Sequence, residues 1–100
     1  MIKVSMIYQA QEGARFDHDY FRNRHMPLVA QRLGSSCDTW EIDRGLEVDS
    51  ISPPFVAMGH IFSESIGVFM EGFLPHKEEL ERDVKNYTDL LPLVQFSEVL

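Results

Sequence analysis

The chain has 100 residues and a mass of 11.6 kDa, enough for one core but not two, so a single domain over residues 1–100 is expected. With 44% apolar and 25% charged residues it is not a disordered polar chain, and a net charge of −7 argues against nucleic acid or an anionic membrane surface as partner. A lone cysteine, Cys37, excludes an internal disulfide, and no signal pattern or apolar run near the ~20 residues of a membrane span appears, so a soluble, cytoplasmic protein is expected.

In chain order, Ile2 to Tyr8 alternates as a strand. A loop containing Gly13 follows, and Asp17 reads as the N-cap of a helix. Its stripe is Tyr20/Phe21, Arg24/His25, Leu28/Val29 and Leu33, and Gly34 is a natural stop. Thr39 to Arg44 reads as a second strand, with Trp40, Ile42 and Arg44 on one side and Thr39, Glu41 and Asp43 on the other. Pro53-Pro54 breaks the chain before a third strand, Phe55 to Phe62, and Ser65 caps a second helix. That helix carries the stripe Ile66, Phe69/Met70, Phe73, His76, Leu80 and Val84. A last strand, Leu93 to Leu100, follows Pro92.

This order predicts an α+β, ferredoxin-like βαββαβ sandwich: a four-stranded antiparallel sheet with two helices on one face. The third strand is apolar on both sides, with Val56, Met58, His60 and Phe62 opposite Phe55, Ala57, Gly59 and Ile61. Two helices cover one face only, so a second copy is expected over the other, giving a homodimer.

The matching residues for a family resemblance begin with Gly13 to Val29, in which His25-Met26-Pro27-Leu28-Val29 is the most specific part. Pro54 to His60, Pro75-His76, Asn86 to Asp89 and Gln95 to Val99 continue it over essentially the whole chain. The sequence resembles the EthD family of the dimeric α+β barrel group, which takes its name from ethyl tert-butyl ether breakdown. That resemblance implies the same fold and a dimer. Neighbouring families of this fold include cofactor-free monooxygenases, muconolactone isomerases, polyketide cyclases and haem-degrading enzymes, and fold alone does not choose among them.

His25 is the first candidate for chemistry. It shares the inward stripe with Phe21 and Leu28, and Pro27 denies Asn23 a backbone hydrogen bond, so the helix should kink or restart there beside the imidazole. Such an imidazole suits general acid–base work, or else braces the kink. His76, after Pro75 and three residues past Phe73, is expected to face inward too. In the related plant polyketide cyclase a histidine in a Pro-x-His context acts as base, from which Pro75-His76 departs by one residue. His60 lies mid-strand as a hydrogen-bonded core group or a substrate contact, and His18 reads as a first-turn surface residue. Tyr20, Phe21, Trp40 and Phe73 are candidate walls for a small apolar or aromatic compound, and Tyr87 is placed to offer its hydroxyl.

No His-x3-His, paired Cys/His or glycine-rich phosphate loop is present, so no metal and no nucleotide cofactor are expected. The charged run Lys77 to Lys85 pairs at i,i+4 and reads as a solvated helix face. Together these features suggest a catabolic or secondary-metabolic enzyme doing cofactor-independent isomerase, cyclase or monooxygenase-like chemistry. His25 would be the acid–base group, with His76 and Tyr87 orienting or polarising a carbonyl. The alternative is an accessory protein that binds a hydrophobic metabolite for a partner oxidase.

Overall fold

The structure, a computed structural model, describes residues 1–100. Four strands, β1 (Ile2–Gln9), β2 (Thr39–Arg44), β3 (Phe55–Ser63) and β4 (Leu93–Glu98), form one antiparallel sheet in the order β2-β3-β1-β4. Helix α1 (18–33) links β1 to β2, and helix α2 (66–83) links β3 to β4. This is the expected ferredoxin-like sandwich, with both helices on one face of the sheet.

Strand register decides which side chains meet the helices. Val4 pairs with Ile61 and Tyr8 with Ala57, and all four are buried in the core. Odd-numbered positions of β3 therefore face the helices, while Val56, Met58, His60 and Phe62 face away. Gly59 belongs to the helix side because a Cβ there would sit 2.9 Å from the Phe21 ring and 3.3 Å from the Met26 sulfur. Its bare backbone lets α1 approach the sheet closely just where His25 sits.

Boundaries differ from expectation at strand ends for a simple reason. β1 starts at Ile2, whose partners are Ser63 and Glu98, so β3 gains Ser63 and β4 ends at Glu98, with one further backbone bond from the Val99 N–H to the Met1 carbonyl. Both helices start as their caps dictate, Asp17 Oδ1 accepting from the Tyr20 N–H and Ser65 Oγ from the Val68 N–H. Gly34 ends α1 at φ +56°, the left-handed region that glycine enters freely.

The second helix is not continuous. Leu74–His76 winds as a 3-10 turn between Ile66–Phe73 and Lys77–Asp83, because Pro75 has no N–H to give. That tighter turn advances the helical phase and corrects one expectation: His76 does not face inward. Its side chain is 36% exposed and lies 3.8 Å from Glu79 on the surface. No helix is long and apolar enough to cross a membrane.

Candidate functional site

The expected break near Pro27 is a π-helical turn over Phe21–His25, in which the Met26 N–H bonds the Phe21 carbonyl. The α-helix restarts at Met26 with Pro27 in its first turn, where a missing N–H costs nothing. One extra residue in the turn brings both Phe21 and His25 onto the sheet side, each buried. Such π turns recur at functional sites because they re-aim side chains.

His25 is 5% exposed, and its Nδ1 lies 2.9 Å from Oδ2 of Asp83. The other carboxylate oxygen, Oδ1, accepts from the Tyr20 hydroxyl at 2.8 Å and from the Asn86 amide at 2.9 Å. Burial raises the Asp83 carboxyl, but these hydrogen bonds from His25, Tyr20 and Asn86 together hold it below its ordinary range. Asp83 is thus a carboxylate, and His25 Nδ1 must be the donor. For His25, burial lowers the pKa below the ordinary 6.5 and outweighs the upward pull of Asp83. The imidazole is neutral near pH 7, with its tautomer set and Nε2 left basic. Nε2 has no protein partner.

Beside it lies a cavity of about 260 Å³ between the sheet and α2. Its walls are mostly apolar, including Val4, Met6, Val29, Ile61, Phe69, Phe73 and Phe96, and the polar side chains reaching it are Tyr8, His25 and Glu81. Glu81 is exposed and paired with Lys77 at 3.0 Å, which puts it at the rim. Phe69 and Phe73 stack at 5.3 Å, and Phe96 meets Phe69 edge-on at 5.8 Å, so one wall is aromatic.

Tyr87 closes the other side of His25, with ring centroids 4.6 Å apart. It is 0% exposed, and its hydroxyl lies 2.6 Å from that of Tyr8. Phe16 and Phe21 pack against both tyrosines at 5.1–5.7 Å between centroids. The backbone pins the ring in place, since the Tyr87 carbonyl accepts from the Asp17 N–H at 2.7 Å and Thr88 Oγ1 donates to the Arg15 carbonyl at 2.7 Å.

Of the residues singled out from sequence, the structure brings His25, Tyr87, Tyr20 and Phe21 together, and Phe73 lines the cavity. It does not bring three others there. His76 is on the surface, as above. Trp40 is half-buried on an edge strand, packed against the core but away from the cavity walls. His60 is on the opposite face of the sheet, where Nδ1 is 2.7 Å from Ser5 Oγ and Nε2 is 2.8 Å from Asp43 Oδ2.

Sequence reading missed Asp83, Tyr8 and Asn86. Asp83 was absorbed into the solvated charge run, although it follows the buried Leu80 by three residues and so shares its face. Tyr8 carried a signal as well, alternating with Val4 and Met6 on the apolar side of β1. No group of three or more His, Cys, Asp or Glu side chains is arranged to hold a metal ion.

The chain matches no protein-family model and no curated protein. Among solved structures it is similar to an EthD-like protein of Ralstonia eutropha, with 42% identity over 99% of this chain and 91% of that one and a TM-score of 0.95. An ethyl tert-butyl ether (EthD) family protein of Bacillus halodurans is 13% identical over 100% and 99% of the two chains, with a TM-score of 0.76. A Bordetella bronchiseptica protein named as an antibiotic biosynthesis monooxygenase is 17% identical over 99% and 96%, with a TM-score of 0.64. The last two share the fold alone. At 42% identity across nearly the full length of both chains, this protein belongs to the EthD-like family.

Proposed function

We propose that the protein is a small enzyme of catabolic or secondary metabolism that moves a proton at carbon, beside a carbonyl, on a compact apolar or aromatic compound. His25 is the acid–base group and Asp83 its positioning residue. The observation that carries this reading is the asymmetry of His25: Nδ1 is tied to a carboxylate at 2.9 Å while Nε2 has no protein partner, on a ring that lines an apolar cavity. A fixed tautomer with one open nitrogen is what a general base requires.

The test is deuterium exchange. Acetophenone and phenylacetone carry acidic hydrogens next to a carbonyl, and exchange with heavy water is followed by proton NMR. Saturable, protein-dependent exchange that disappears in His25→Gln supports the enzyme. Saturable binding without exchange for either probe favours the accessory binding protein instead.

We further propose a homodimer through the uncovered sheet face. Val56, Met58 and Phe62 lie there half-buried in one copy, and Leu93 of the neighbouring edge strand is 56% exposed. Light scattering at micromolar concentration should give twice the chain mass, and a stable monomer would end this reading.

A further inference from the structure

We propose that Tyr8 donates a hydrogen bond to the substrate's oxygen, with Tyr87 behind it, so that the cavity holds an enolate or phenolate oxyanion while His25 moves the proton. This rests on the acid–base reading above and supplies the charge-stabilising group that it lacks.

Hydrogen-bond accounting singles out Tyr8. Two hydroxyls carry two protons but share one hydrogen bond of 2.6 Å, so one proton has no protein acceptor. Both rings are buried, Tyr87 at 0% and Tyr8 at 1% exposed, but only Tyr8 lines the cavity. Tyr87 therefore gives its proton to the Tyr8 oxygen, and Tyr8 keeps its own for whatever occupies the cavity. A hydroxyl that already accepts a hydrogen bond is the stronger donor, because the two bonds polarise each other. Burial pushes the Tyr8 phenol up to about 12, so it stays protonated across the physiological range. The surrounding Val4, Met6 and Phe21 exclude water and raise the worth of that donor to a developing negative charge.

The step balances without a co-reactant. His25 Nε2 takes a proton from the carbon beside the carbonyl. The C–H electron pair becomes a carbon–carbon π bond, and the carbonyl π pair moves to oxygen, where the Tyr8 hydroxyl holds it. Where a carbon–carbon double bond is conjugated with that enolate, the oxygen lone pair re-forms the carbonyl, the double bond shifts, and return of the proton from His25 to the far carbon gives an isomer. The occupant is small, because about 260 Å³ lies below the roughly 300–1,000 Å³ of sites for drug-sized ligands. It is a neutral ketone, whose enol a phenol mimics, with one ring against Phe69 and Phe73 and one oxygen at Tyr8.

The experiment uses 4-nitrophenol, an aromatic ring with one ionisable oxygen whose absorbance reports its charge. Bound to the unmodified protein, it should ionise at lower pH than it does free. Tyr8→Phe should weaken binding of the anion by about 10-fold or more and abolish the ionisation shift, and Tyr87→Phe should weaken it by a few-fold. Preference of the unmodified protein for the neutral probe overturns the proposal, whether or not Tyr8→Phe folds. So does undiminished anion binding by Tyr8→Phe. The readout needs no turnover. Tyr8-dependent anion binding without deuterium exchange would place the fault in the acid–base reading, whereas exchange without Tyr8-dependent anion binding would place it here.

Discussion

Two histidines on the two faces of one sheet differ in what their rings are left free to do. His25 and His60 are similarly buried, at 5% and 9% exposed, and each touches an aspartate at 2.8–2.9 Å. The difference is the second nitrogen. Ser5 occupies it in His60, so the ring bridges β1 and β2 across β3 with both nitrogens spent. In His25 it has no protein partner, and the ring lines the cavity. Burial and an acidic partner are common to both rings, so the role proposed for His25 rests on its second nitrogen and on the cavity beside it.

The largest effect should come from His25 itself. His25→Gln keeps an amide that hydrogen-bonds but does not titrate, and deuterium exchange of the ketone probes should fall by about 10²–10⁴-fold. The variant should still unfold cooperatively in urea. A Gln variant with unchanged exchange would reduce His25 to the structural rank of His60.

Asp83→Asn comes next, on the order of 10²-fold in exchange rate, because an amide no longer enforces the Nδ1–H tautomer. A pH profile separates this from simple loss of packing. Exchange by the neutral imidazole should rise as pH climbs through the His25 pKa, which lies below 6.5, and then level off. Asp83 pulls that pKa upward, so Asp83→Asn should move the inflection to lower pH. Movement the other way would contradict the assigned electrostatics.

Stability should follow pH with the same sign. Folding lowers the His25 pKa, so the unfolded chain binds more protons below pH 6.5. The stabilisation is complete above 6.5 and is lost as pH falls through the folded value. Asp83, also lowered on folding, adds a second loss as pH falls below 3.8. His18 is lowered too, chiefly by burial, so urea unfolding of His25→Gln should show a shallower first decline rather than none.

These residues also show how far the sequence could be read. Strand and helix order, both N-caps and the disturbance at Pro27 were legible because local chemistry sets them: alternation, side-chain capping and a missing N–H. His25 was legible from its stripe, and so was β2, whose residues Thr39–Arg44 and two faces match the expectation. The role of Asp83 was not: its spacing from Leu80 places it on the inward face, but the partner that gives it a role lies 58 residues away. Lys77 pairs with Glu81 and Glu78 with Arg82 at i,i+4 as a solvated face does, and that pattern masks Asp83, the carboxylate of the run that turns inward. His60 is the hydrogen-bonded group of its two expected readings, and its face was not legible for another reason. β3 is apolar on both sides, so alternation sorts its residues into two sets without saying which set the helices cover. The small residues Ala57 and Gly59 settle it, because only that side admits Tyr8 and Phe21.

The smallest effects belong to the His60 side. Ser5→Ala leaves the buried Nδ1 unpaired and should cost about 1–3 kcal/mol in urea unfolding, with no change in ketone exchange because the sheet separates it from the cavity. Asp43→Asn should cost less, at most about 1 kcal/mol, since the Asp43 side chain is 59% exposed in one copy and its hydrogen bond competes with water. The proposed dimer sharpens this last value. Asp43 faces the same side as Met58 and Phe62, so a second copy would shield it and strengthen its bond to His60. The cost of Asp43→Asn should then grow with protein concentration, read as a widening gap in Tm between variant and parent from submicromolar to tens of micromolar. A gap that stays constant over that range would mean that Asp43 meets the same solvent in both regimes, and that the second copy does not sit over His60.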